Sequence, residues 1–408
     1  MNTKTKFQLS FMMFLEFFIW GGWFVSLGIF LDSNLQATGA QSAMAFSTQS
    51  WGAIIAPFII GLIADRYINA ERILGILHIL GAGLMYLMYL STDFATFYPY
   101  VLVYMILFMP TLALVNSVSF NQMKDPAKEF SLVRVFGTIG WIVAGLLISY
   151  VFFWDSPEGR QAGMMKNMFL MTAVASAVLG LFSFSLPKTP PKVDRKEKVN
   201  LSELLGLDAL KLLKDRNFLL FFLASIMICI PLAFYYQNAA PFLAEVGVEN
   251  PTGLMTIGQA SEVLFMLLLP YFFKKFGFKK TILAGMVAWT LRYLLFAYGD
   301  TGELLFMLII GIALHGICYD FFFVSGQIYT DSKAGEKYKS SAQGLITLAT
   351  YGVGMLIGFW VAGKITDHFN VGGIHDWQQI WIYPAGFALL VAVLFTLFFK
   401  NEKVAYKS

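Results

Sequence analysis

Charge is scarce in this chain. Asp, Glu, Lys and Arg make up only 13% of its 408 residues, against roughly 25% in an ordinary soluble domain. Such a surface cannot be solvated by water, and no basic block or base-stacking repeat is present that would bind nucleic acid. Cysteine is almost absent. Cys229 and Cys318 both fall inside apolar runs, which excludes a disulfide framework and a thiolate metal site. The four histidines, at 78, 315, 368 and 375, are scattered. Neither H-E-x-x-H nor G-x-S-x-G occurs, so the chain is not expected to be an enzyme or to carry a metal or cofactor. No cleavable leader is expected either: the first apolar stretch, Phe7 to Phe30, is too long and lacks an A-x-A-like site.

What is abundant is apolar surface. Hydrophobic residues reach 58% and aromatics 17%, with 41 Phe and 19 Met. Runs of about 20 apolar residues recur, each long enough to cross a hydrocarbon layer of about 30 Å. Read between polar punctuation, they predict twelve spans: 7–31, 43–64, 72–92, 97–121, 134–153, 163–186, 217–243, 253–273, 279–298, 303–329, 341–362 and 379–399. The expected fold is an all-α membrane protein in a lipid bilayer.

Lys and Arg set the expected orientation. Of the 29 basic residues, Arg160, Lys166 and Lys364 fall on one side, and Arg134 and Arg292 lie within spans. All the others fall on the opposite side, which predicts cytoplasmic termini. The one long polar stretch lies between spans 6 and 7. It divides the chain into a six-helix bundle over 1–186, a cytoplasmic linker over 187–216 and a second six-helix bundle over 217–408. Within the linker, Leu201 to Leu213 is expected as a short amphipathic helix on the membrane surface. A weak repeat supports the division: Arg66-Tyr67 with Arg72-Ile73-Leu74 matches Lys275-Phe276 with Thr281-Ile282-Leu283. Parallel halves of this kind are the trace of the major facilitator fold, with substrate bound in a central cavity.

Gly61-Leu62-Ile63-Ala64-Asp65-Arg66 resembles that superfamily's G-x-x-x-D-R signature. Gly61, Asp65 and Arg66 are therefore expected at a gate, away from substrate. Gly363-Lys364-Ile365-Thr366-Asp367 is similar but lies on the other side, and reads as coincidence.

Ionisable groups inside spans are the sharper signal, because a charge at mid-bilayer costs several kcal/mol unless it faces a cavity or a partner. Glu16, Arg134, Glu262, Arg292 and Asp320 qualify. Arg292 lies two turns from a span end and reads as a snorkelling side chain. Gln259 and Glu262 share one helix face, as do His315 and Tyr319, with Asp320 beside them. Arg134, Thr138 and Trp141 form a polar and aromatic stripe on span 5. Tyr235-Tyr236-Gln237-Asn238 precedes Pro241 on span 7. Acids and amides bind hydroxyls, and aromatic faces stack on a ring. Sugars and nucleosides both fit these groups. A proton-coupled sugar or other small polar-solute carrier is thus the alternative to a nucleoside carrier.

Phe17-Phe18-Ile19-Trp20-Gly21-Gly22-Trp23-Phe24, Arg134-Val135-Phe136-Gly137-Thr138-Ile139-Gly140, Gln259-Ala260-Ser261-Glu262 and Tyr319-Asp320-Phe321-Phe322 go further. Through them the chain resembles the nucleoside:proton symporter family of the major facilitator superfamily, along nearly its whole length. That resemblance implies proton-coupled nucleoside import by alternating access across the inner membrane. The implied partners are nucleoside, proton and lipid, and the implied state is a monomer. The substrate residues it implies are Arg134, Thr138, Trp141, Gln259, Glu262, His315, Tyr319 and Asp320, with Tyr236 and Gln237 added from span 7. A coupling carboxylate must change protonation during the cycle; Asp320, Glu16 and Glu262 are the candidates. Glu16 has Arg134 as its alternative partner.

Overall fold

A computed structural model describes residues 1–59, 63, 67–124, 126–191 and 207–402, and the side chains of all of these but 126–128, 207, 208 and 335–340. The gate motif Gly61, Asp65 and Arg66 and most of the 187–216 linker lie outside the described residues.

Nearly everything described is helical. Among the described residues, nine helices are long and apolar enough to cross a membrane, from Ala70–Leu90 to Trp377–Phe398. Side-chain oxygens at the helix starts explain several boundaries. Asn2 accepts from Thr5 N at 2.7 Å, Asp93 from Thr96 N at 2.9 Å and Asp215 from Phe218 N at 2.8 Å. Each satisfies a backbone donor that the first helical turn leaves open.

Helix breaks are set by local chemistry. The first expected span divides into Thr3–Gly21 and Leu27–Ser33, interrupted just after the Gly21-Gly22 pair. The helical stretch Pro251–Tyr298 is broken at Gly277, whose φ of 75° lies in the left-handed region that favours glycine. In contrast, the polar segment expected as a loop near 330–340 is carried inside the helix Ser325–Thr347. Its Lys, Ala and Glu residues favour helix. A two-residue antiparallel hairpin, Asn370–Val371 with Ile374–His375, precedes the last helix.

The chain forms two compact units. The first comprises Met1–Ala37, Met44–Asn200 and Glu249–Thr256; the second comprises Thr38–Ala43, Leu201–Val248 and Ile257–Ser408. In the first, Thr3–Gly21 packs along Pro126–Leu146, and Ala70–Leu90 along both Phe94–Asn121 and Asn167–Ser183. In the second, Arg216–Glu245 packs on Met355–His368 and Trp377–Phe398. The described end of the linker corrects one expectation. Leu207–Lys214 is a 3-10 helix, and its Ala209 is buried with Ala334, Ala342 and Leu345, packed with Leu212 and Phe222. Ala209 and Leu212 are thus packed against protein, while Leu210 is exposed.

Candidate functional site

The first unit builds a polar and aromatic face where two helices approach closely. A Cβ at Gly140 would collide with the Phe14 carbonyl, and one at Gly21 would meet the Trp141 ring. This approach sets the half-buried stripe Arg134, Thr138 and Trp141 beside Phe17 and Trp20. The Arg134 guanidinium carbon lies 3.9 Å from the centre of the Phe17 ring, a cation–π contact. Trp141 meets Trp20 edge to face at 5.5 Å. Trp20 Nε1 has no hydrogen-bond partner among the described residues, which leaves a donor within an aromatic wall.

Glu16 stands on the same first helix, fully buried. It is paired with His78 and Thr111 instead of Arg134. His78 Nε2 is 2.7 Å from one carboxylate oxygen, and Thr111 Oγ1 donates to the other at 2.5 Å. In the sequence His78 counts only as one of four scattered histidines, although its place inside an apolar span is the signal that marks it as a buried partner.

In the second unit, Gly316 fits against the Ser261 backbone with no room for a side chain, and Gly316 N donates to Ser261 Oγ at 3.0 Å. That contact puts His315 beside Glu262, with Nε2 3.9 Å from Oε2. Three rings then line up: Tyr235 to His315 at 5.3 Å and His315 to Tyr319 at 5.9 Å, both stacked. The Tyr319 and Tyr351 hydroxyls are 2.6 Å apart. A pocket lined in part by Ser225, Phe323, Thr350 and Tyr351 opens next to them. Gln259 is buried one turn from Glu262, and Tyr236 is half-buried. Gln237 is buried and donates to the Gly39 carbonyl at 3.4 Å.

Asp320 opens a widened π turn, Asp320–Val324, of the type that recurs at functional sites. It is fully buried, and neither carboxylate oxygen has a hydrogen-bond partner among the described residues. An uncompensated negative charge there would cost several kcal/mol; binding a proton removes that cost.

Arg292 does not snorkel. It is fully buried, its guanidinium carbon is 3.4 Å from the centre of the Tyr235 ring, and Nη1 lies 3.2 Å from His315 Nδ1. Sequence position misplaced it because depth along a helix says nothing about the direction a side chain takes. The Gly363–Asp367 segment has a structural task as well. Asp367 accepts from Gly39 N at 2.6 Å and Ala40 N at 2.8 Å, capping the helix Gly39–Ile59.

Buried carboxylates, stacked rings and a cation–π wall on membrane helices suit a solute carrier, and similarity to known proteins decides which kind. A family model described as nucleoside H+ symporter matches residues 1–404. The chain belongs to the nucleoside:proton symporter family. It is a proton-coupled nucleoside transporter of the major facilitator fold, not an enzyme. It is 42% identical to the putative nucleoside transporter YegT of Escherichia coli K12, over 99% of this chain and 96% of the relative. It is 36% identical to the xanthosine permease of the same organism, over 98% of both. A crystal structure of the nucleoside transporter NupG superposes with a TM-score of 0.86 at 30% identity, covering 98% of this chain and 100% of that one. The POT family transporter PepTSo, at 15% identity and a TM-score of 0.75, shares the fold.

Proposed function

We propose that this transporter carries nucleosides inward across the cytoplasmic membrane, coupled to proton uptake at Asp320, and that it works as a monomer with both termini cytoplasmic. The observation that carries this reading is Asp320 itself, a buried carboxylate with no partner among the described residues, next in sequence to Tyr319 in the ring column. The names of the relatives support a nucleoside cargo.

The proposed substrate residues are Gln259, Glu262, His315, Tyr319, Asp320, Tyr236 and Gln237 in the second unit, and Arg134, Thr138 and Trp141 in the first. Carboxylate and amide groups hold ribose hydroxyls, and aromatic faces hold the base. Gly61, Asp65 and Arg66 act as the gate. The bundles 1–186 and 217–408, of six spans each, are joined by the linker 187–216. Positive charge concentrated in one set of loops supports the orientation.

The test is radiolabelled uptake into proteoliposomes under an inward proton gradient. Uridine, inosine and adenosine should compete for entry, and collapsing the gradient should end accumulation. Competition by glucose or xylose with none by nucleosides would overturn the reading.

A further inference from the structure

Arg292 and His315 together define something that neither does alone. A guanidinium has five N–H donors and no acceptor. The 3.2 Å contact between Arg292 Nη1 and His315 Nδ1 therefore has one possible direction: Arg292 donates and Nδ1 accepts with its lone pair. A neutral imidazole that accepts at Nδ1 carries its hydrogen on Nε2. We infer that Arg292 is a positioning residue that locks His315 in the Nε2–H form, so that the ring faces the substrate as a hydrogen-bond donor and receives an acceptor atom of the nucleoside.

The surroundings support this assignment. Protonating Nδ1 would break the hydrogen bond from Arg292 and set a second positive charge against the first. The other groups facing the imidazole are the Tyr235 and Tyr319 rings and the Glu262 carboxylate. Nε2 stands 3.9 Å from Glu262 Oε2, beyond hydrogen-bond reach. Its hydrogen is thus left for a ligand. Arg292 itself is buried and lies with its guanidinium carbon 3.4 Å from the centre of the Tyr235 ring. His315 then cannot carry the transported proton, which leaves that task to a carboxylate. The inference rests on the proposed substrate site for its functional half, whereas the tautomer itself stands or falls independently of what is transported.

Nitrogen NMR of the purified transporter, labelled at histidine, reads the tautomer directly. His315, identified by loss of its signals in His315→Gln, should show an unprotonated Nδ1 and a protonated Nε2 from about pH 5.5 to 8. Arg292→Met should release the ring, giving mixed tautomers and a protonation step within that range. Arg292→Lys, which keeps a donor, should restore the wild-type pattern. In nucleoside binding, His315→Gln, which keeps an N–H, should lose less than about tenfold in affinity, and His315→Leu about tenfold or more. A protonated Nδ1 in the wild type would overturn the inference, with no variant needed. Equal affinity losses in His315→Gln and His315→Leu would overturn its functional half. Absence of nucleoside transport with the expected tautomer would instead overturn the proposed function.

Discussion

Glu16 and His78 share a hydrogen bond of 2.7 Å inside the first unit, with both side chains almost completely removed from solvent. The rest of the network fixes its polarity. Ser176 Oγ donates its single hydrogen to the His78 carbonyl at 2.9 Å, so Nδ1, 3.1 Å away, must be the donor to Ser176. His78 thus carries its hydrogen on Nδ1, the reverse of His315. Both ring nitrogens of His78 and both carboxylate oxygens of Glu16 are thus engaged by neighbours.

The pair is accordingly expected to be structural. Glu16→Ala leaves His78 Nε2 buried without its partner and removes one of the two Thr111 contacts, and should destabilise the protein by about 3–5 kcal/mol, as for other broken buried pairs. Glu16→Gln retains an acceptor for Thr111 and should cost less, about 1–3 kcal/mol, while keeping gradient-driven uptake. Thermal unfolding in detergent and uptake in proteoliposomes measure the two effects. Loss of uphill transport in a stable Glu16→Gln protein would make Glu16 the coupling site.

Asp320 is expected to behave in the opposite way. Asp320→Asn preserves shape and removes the exchangeable proton. Uphill nucleoside uptake driven by a pH gradient should vanish, whereas nucleoside exchange between equal concentrations should persist. Accumulation at the wild-type level by this variant would place proton coupling elsewhere.

Glu262 is expected to hold a ribose hydroxyl. Removing one charge-assisted partner should cost about 1.5–3 kcal/mol, a factor of roughly ten to a hundred in affinity. Deoxynucleosides that lack the relevant hydroxyl should therefore be penalised less in Glu262→Gln than in the wild type. Isothermal titration of matched ribo- and deoxynucleosides makes the comparison. Equal penalties in both proteins would remove Glu262 from contact with substrate.

Asp155 offers a pH test outside the spans. It lies between the π turn Leu147–Val151 and the short helix Pro157–Gln161, fully buried. Burial pushes its carboxyl above the usual range, partly offset by hydrogen bonds from Ser149 Oγ at 2.6 Å and Thr252 N at 2.9 Å. The folded protein then holds a proton where the unfolded chain has released it. Its contribution to stability is fully present below the ordinary carboxyl range and is lost as pH rises through the raised value. Asp155→Asn does not titrate, so its melting temperature should gain on the wild type as pH rises. A difference in melting temperature independent of pH would contradict this.

Hydropathy and charge placement by themselves determined that the chain is an all-α membrane protein, because a bilayer demands long apolar runs and leaves its few charges conspicuous. Intramembrane Glu262 and Asp320 stood out for that reason, and the helical spacing of Arg134, Thr138 and Trp141 put them on one face. The breaks at Gly21-Gly22 and the helix running through 330–340 were not legible, since packing and local propensity compete there on nearly equal terms. Nor were the partners of the charged groups. Arg292 reads as a surface anchor in the sequence, yet its guanidinium lies on Tyr235 and His315; Glu16, for which Arg134 was the partner considered, meets His78 at 2.7 Å. Sequence spacing specifies a helix face, but a hydrogen bond between helices depends on how closely and at what rotation they pack. Only the tertiary structure decides that, and with it which nitrogen of His78 and of His315 carries the hydrogen.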